Sequence, residues 1–351
     1  MQKTWAQPDF YLLRRNGSGV RKMNKPLKIL ALCFVALLVA LLPARAQQIG
    51  SDVYKIDRLV TFLAMGTGAT TGTYFPLGNA FANVWSTRLE HVSVMSHSTS
   101  GSIENIHLMQ RRELDLAIAQ SDVVAAAIKG TGSFTGRPCP QLRVLMSLYP
   151  EVVQLVVLAD SDIQSISQLR GRKVIVGAPG SGNVITSLAM MSAFGIGADD
   201  FEPVYISYDE ALQAMERRDY DAAIIIAGTP TKMISELQHR KPVRIISLSP
   251  AETASITAAL PYLSALNLPP KTYAGQTEPV TTVALMAMLV CSSRLSDDLA
   301  ANLCQTIFDN LDYLKTIHTR AHDVSIDTIM NGVPEGYAHP GALRFYNHRR
   351  R

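Results

Sequence analysis

The apolar run Leu59–Met65 stops at three glycines, Gly66, Gly68 and Gly72, and a helical pattern begins near Thr73. An apolar run of this length bounded by glycine reads as a buried parallel strand. The glycines allow positive φ and leave amide N–H groups uncovered by side chains. The first amides of the following helix lack intrahelical partners and carry the positive end of its dipole. Strand, turn and helix start together form a neutral pocket suited to a small anion. A chain built on such a unit is α/β, with its ligand at the carboxyl edge of a sheet.

The unit recurs. Val92–Ser96 is a strand ending in Ser98-Thr99-Ser100-Gly101, before a helix over Ser102–Arg112. Leu114–Ala119 is a buried strand followed by Gln120-Ser121-Asp122 and a third helix start. Lys173–Val176 leads into Gly177–Asn183 and another helix. Asp221–Ala227 ends in Gly228-Thr229-Pro230, where Thr229 is placed to cap a helix with Pro230 at its first position. Leu142–Leu148 and Val152–Leu158 read as two strands between lobes, and Thr281–Cys291 as a strand returning to the first lobe. Pro250–Pro279 carries no clear period. Helices are expected over Ser296–Leu311 and Asp312–Thr319. The layout is two Rossmann-like α/β lobes joined by a strand hinge: 47–150 with 280–351 in lobe 1, and 151–279 in lobe 2.

Residues 1–46 stand apart. Lys25 and Lys28 precede the apolar segment Ile29–Leu42, which ends in Ala44-Arg45-Ala46, so the pattern is a secretory signal peptide cleaved before Gln47. The long stretch ahead of it places the translation start at Met23. The leader holds eight Lys and Arg against one acidic residue; without it the chain has 25 basic and 28 acidic side chains, net −3. No basic stripe interleaved with aromatics remains, so nucleic acid is excluded as a partner. Cys139, Cys291 and Cys304 are left for an oxidising compartment. Cys291 and Cys304 could form a bridge, or all three could be buried thiols.

Other chemistries fail on spacing. A phosphate-binding loop needs Lys-Ser/Thr after its last glycine, and Gly72 is followed by Thr73-Tyr74. Gly177–Asn183 does not have the dinucleotide spacing. Ser181 is preceded at the second position by Pro179, so the hydrolase elbow is missing. His318 and His322 lack the intervening glutamate of a zinc protease helix, and His97 has no partner motif. No catalytic set, metal site or cofactor emerges.

The ordered motifs resemble one family. Gly66–Pro76, GTGATTGTYFP, is similar to the GTGGTGGTYYP signature of TAXI proteins, solute-binding components of tripartite ATP-independent periplasmic (TRAP) transporters. Ser98–Glu104 (STSGSIE), Ala119–Asp122 (AQSD), Ser147–Glu151 (SLYPE), Gly177–Asn183 (GAPGSGN), Ala227–Pro230 (AGTP) and His339–Ala342 (HPGA) also resemble family motifs in order. The resemblance implies a type II periplasmic-binding-protein fold and a monomer. It implies capture of a small carboxylate, a glutamate-like amino acid or a dicarboxylate, and delivery to TRAP membrane permease subunits. Its ligand contacts would be Thr70, Tyr74, Ser98, Thr99, Ser100, Gln120, Ser121, Gly180, Ser181, Gly182 and Asn183, to which the fifth polar turn adds Gly228 and Thr229. Ser100, Asn183 and Thr71 depart from the family pattern, all in these loops. An exported enzyme acting on a small carboxylate, or a ligand-sensing receptor without a permease, are the alternative functions.

Overall fold

The computed structural model describes residues 60–350. The signal peptide, the Met23 start and the lead-in Gln47–Asp57 lie outside the described residues. The elements in order are β1 (Thr61–Gly66), α1 (Tyr74–Arg88), β2 (Val92–His97), α2 (Ser102–Gln110), β3 (Leu116–Gln120), α3 (Ser121–Lys129) and β4 (Leu142–Leu158). There follow β5 (Lys173–Ile175), α4 (Gly182–Ala193), β6 (Glu202–Val204), α5 (Tyr208–Arg217), β7 (Ala222–Ala227), α6 (Lys232–Arg240), β8 (Val243–Ile245), α7 (Pro250–Ala259) and β9 (Ser264–Leu268). The chain closes with β10 (Val280–Ser292), α8 (Asp297–Asp309), α9 (Leu311–Ile317), a 3-10 turn Thr319–Asp323 and α10 (Pro340–Arg349).

The strands hydrogen-bond in the order β2-β1-β3-β10-β4-β7-β5-β6, with β8 on β4 and β9 on β10. β1 is parallel to β2 and β3, and β5 is parallel to β6 and β7. β10 enters antiparallel between β3 and β4. Two parallel sets are thus joined through two long antiparallel strands that run from one lobe into the other. Alternation along each central strand fills a core on both faces. In β3, Leu116 and Ile118 join Phe81, Trp85 and Leu303, while Ala117 and Ala119 face Ile106 and Val124. In β7, Ile224 and Ile226 pack with Leu155 and Met190, and Ala223 and Ile225 with Leu212 and Leu237.

The structure corrects three expectations. Leu142–Leu158 is one strand of 17 residues, not two. Pro150 is tolerated because β4 has only β10 beside it there, β7 pairing from Val152 onward. The helix after Gly228 starts at Lys232 with Thr231 at its N-cap, so neither Thr229 nor Pro230 opens it. The Pro-rich stretch holds α7, begun by a Ser249/Glu252 capping box, and β9. Of the two cysteine alternatives the structure has the buried thiols: Cys139, Cys291 and Cys304 are all free. Burial pushes the Cys304 thiol up to about 12 and raises that of Cys291.

Candidate functional site

A cavity of about 190 Å³ lies between the lobes at the carboxyl ends of the strands. One wall is Gly68, Ala69, Gly72–Tyr74 and Ser98–Ser102, the other Ala178, Ser181–Asn183 and Ser207–Asp209, with Gln120, Glu151, Ile226 and Ala227 completing it. Of the residues singled out in the sequence, Tyr74, Ser98, Thr99, Ser100, Gln120, Ser181, Gly182 and Asn183 come together here. Thr70, Ser121, Gly180, Gly228 and Thr229 lie outside this wall.

Several wall groups are committed to the protein itself. Ser98 Oγ donates to the Gly68 carbonyl (2.8 Å), and Thr99 Oγ1 reaches Thr67 O and Asn105 Oδ1. Ser181 caps α4 by accepting from the Val184 amide. The Asn183 amide donates to the carbonyls of Val176 (2.5 Å) and Ile224 (2.8 Å), and its Oδ1 accepts from the Ile226 amide (2.7 Å). Its side chain therefore ties α4 to β7 and to the strand end at Val176.

Residues outside the wall make contacts of their own. Thr70 Oγ1 and the Thr71 amide both donate to Asp209 of α5, at 3.2 and 3.0 Å. The glycine turn of lobe 1 is thus filled by a carboxylate from lobe 2. The Gly180 carbonyl accepts from the Ile103 and Glu104 amides at the start of α2 (3.1 and 3.0 Å). Ser121 Oγ accepts from Met286 N, and Ser121 lines a larger cleft on the far side of the hinge strands. The Gly228 carbonyl accepts from Thr73 Oγ1.

Sequence reading missed the two acidic groups of the cavity. Glu151 is 2% exposed, and Tyr74 OH donates to its Oε2 at 2.8 Å. Burial raises its carboxyl well above the ordinary range, and the field of Asp122 adds to this while the Tyr74 hydrogen bond opposes it. Burial likewise raises the hydroxyls of Tyr74 and Tyr208, so both stay protonated. The signal for Glu151 is a lone carboxylate between the apolar runs 142–148 and 152–158, within the SLYPE motif. Asp209 was visible only as a first-turn acid of α5.

Behind the cavity, Gln120 Nε2 lies 3.3 Å from Thr186 Oγ1, which donates to Asp122 Oδ2 at 2.9 Å. This bridges α3 and α4 across the lobes. Burial pushes the Asp122 carboxyl up to about 6, against hydrogen bonds from Thr186 and the Val123 amide. The folded chain then holds that proton more tightly than the unfolded one, so stability falls as pH rises from about 4 to about 6. Asp122→Asn should flatten this part of the profile, by at most about 2 kcal/mol. Thermal melts at pH 4, 5 and 6 that decline in parallel for both proteins would remove Asp122 as the cause.

Two α/β lobes joined by crossing strands, with a cavity at their facing edges, define the type II periplasmic-binding-protein fold. The chain belongs to the NMT1-like family, whose sequence profile matches residues 65–348. Its backbone is similar to that of the alkanesulfonate-binding protein SsuA from Xanthomonas axonopodis pv. citri bound to MOPS (15% identity, 83% of this chain and 85% of that one, TM-score 0.46). It is also similar to a putative L-cystine ABC transporter protein from Listeria monocytogenes (14%, 74% and 94%, TM-score 0.47). A third similar structure is the GluR0 ligand-binding core from Nostoc punctiforme in complex with L-glutamate (13%, 75% and 100%, TM-score 0.46).

Proposed function

We propose that this is an extracytoplasmic solute-binding protein of the TAXI kind, which captures a small carboxylate between its lobes and passes it to a TRAP membrane permease. The hinge falls where the chain crosses near residues 150 and 280. The observation that carries the reading is the interlobe cavity, which both lobes wall with hydroxyls, glycines and helix starts. After the internal bonds above, the Ser100 hydroxyl and the first-turn amides of α1 and α4 remain for a carboxylate. The Tyr74–Glu151 hydroxyl–carboxyl contact that lines the cavity is held protonated on both partners by burial and so offers no ready base, which favours capture over turnover.

Magnitudes allow micromolar binding. It needs about −8 kcal/mol, and hydrogen bonds to a charged group contribute about 1.5–3 kcal/mol each. Three or four suffice after entropic losses, provided lobe closure excludes water.

Mass spectrometry of solute released from the purified protein tests the reading directly. A melting-temperature panel with glutamate, 2-oxoglutarate and succinate complements it. A carboxylate at 100 times its Kd should stabilise the fold by about 2.7 kcal/mol. A shift with an uncharged sugar and none with any acid would end the carboxylate reading. Loss of solute uptake in cells lacking the cognate permease genes, with the binding protein intact, tests the delivery step.

A further inference from the structure

The charge balance of the cavity is one-sided. Among its lining residues are two carboxylates, Glu151 and Asp209, and no Lys, Arg or His. The neighbouring cation is Arg320 on the 3-10 turn, whose Nη1 lies 2.8 Å from Asp323 Oδ2. Its charge acts on Tyr149, while burial, the Tyr74 hydrogen bond and the field of Asp122 set the Glu151 carboxyl. Asp209 is already met by Thr70 and the Thr71 amide. Glu151 is met only by the Tyr74 hydroxyl, which leaves Oε1 with no protein partner. A buried ionised carboxylate without a counter-charge is costly, and a bound ammonium removes that cost.

Two places where a second ligand carboxylate could sit are also closed. The glycine turn holds Asp209, and the Ile103 and Glu104 amides hold the Gly180 carbonyl. A dianion without an amine would bring its second charge toward Glu151 with no cation to offset it.

Resting on the solute-binding reading, we infer that Glu151 is the specificity-determining residue of the cleft and selects a solute bearing a protonated amine over the isosteric solute without one. The ammonium occupies the free side of the Glu151 carboxylate while Tyr74 holds the other. Binding ionises Glu151, so a proton leaves the complex and affinity rises with pH through the range in which the free carboxyl is protonated. Of the other groups facing Glu151, Tyr74, Tyr149 and Tyr208 are held protonated by burial. Asp122, pushed up to about 6, changes charge in a neighbouring range, and repeating the pH series in Asp122→Asn separates its contribution. Asp209 stays bonded to Thr70 and Thr71.

Calorimetry with matched probes decides it. L-glutamate and 2-oxoglutarate share a skeleton and differ by amine against ketone; succinate supplies the plain dianion and n-butylamine the amine without an acid. The expected result is glutamate at least tenfold tighter than 2-oxoglutarate or succinate. Heats measured in buffers of different ionisation enthalpy should show proton release. Glu151→Gln, whose amide oxygen still accepts from Tyr74, should fold normally, lose most of the tenfold preference and release no proton. If 2-oxoglutarate or succinate binds as tightly as glutamate, or if Glu151→Gln keeps the preference, Glu151 does not select and solute capture still stands. If n-butylamine alone binds, Glu151 selects and the carboxylate reading falls. If no probe binds, both fall.

Discussion

Asn183→Ala is expected to destabilise the protein by about 3–5 kcal/mol, lowering its melting temperature by about 6–10 °C. Sequence pattern alone would place Asn183 among the ligand contacts, where alanine should be harmless to the fold. The structure gives it another task. The amide group donates to Val176 O and Ile224 O, and its oxygen accepts from Ile226 N and lies 2.6 Å from Tyr208 OH. Alanine would leave two buried carbonyls without donors and take one acceptor from a buried amide, at about 1–3 kcal/mol for each unpaired group. Asn183 is 4% exposed, so water does not replace the lost partners. Asn105 makes the matching set in lobe 1, donating to Thr67 O (2.7 Å) and Ile118 O (2.9 Å). Asn183→Asp should be as damaging as alanine, because a carboxylate would face the same two carbonyls. A melting temperature within about 2 °C of wild type for Asn183→Ala would show that the bridge contributes little.

The contrast between Asn183 and Glu151 shows how much was legible in the sequence. The lobes, the crossing strands and the glycine turns follow from apolar runs and their punctuation, which are local properties. The side chains that end up facing the cavity follow from how two lobes meet, which no local pattern encodes. Asn183 sits in a loop motif yet turns inward to backbone carbonyls. Thr70 sits in the leading motif yet spends its hydroxyl on Asp209 from the other lobe. Glu151 sits in the break that the sequence places between two strands, and only the continuous strand β4 and the sheet order bring it to the face that opens into the cleft. The HPGA motif is likewise structural. His339 caps α10 through Nδ1, Pro340 occupies the first position, and a Cβ at Gly341 would lie 2.0 Å from the Asp297 carbonyl oxygen.

Gly182→Ala should leave the lobes folded and weaken solute binding about 10- to 100-fold. A Cβ built at Gly182, in lobe 2, would lie 1.7 Å from Gln120 Oε1, 2.6 Å from its Cδ and 3.0 Å from Ser102 Oγ, all in lobe 1. Its φ is not positive, so alanine adds no backbone strain, and in the first turn of α4 alanine is the better helix former. The clash therefore exists only when the lobes meet. Relieving it means turning the Gln120 carboxamide out of a buried site and breaking its contact with Thr186, or holding the lobes apart. Overpacking of this kind costs about 1–3 kcal/mol, which lowers the closed population and the apparent affinity in proportion. Gly228→Ala tests the same idea at an independent point. Its Cβ would lie 2.7 Å from Arg320 Cγ and Cδ and 3.0 Å from Thr73 Cγ2, again lobe 1 atoms against a lobe 2 glycine. Mid-chain atoms of Arg320 yield less readily than a side-chain tip, so this variant should bind more weakly than Gly182→Ala. Small-angle scattering with and without L-glutamate should show wild type compacting and both variants remaining extended at the same glutamate concentration. Wild-type affinity and wild-type compaction in both variants would mean that the contact at these glycines is not part of the ligand-closed state.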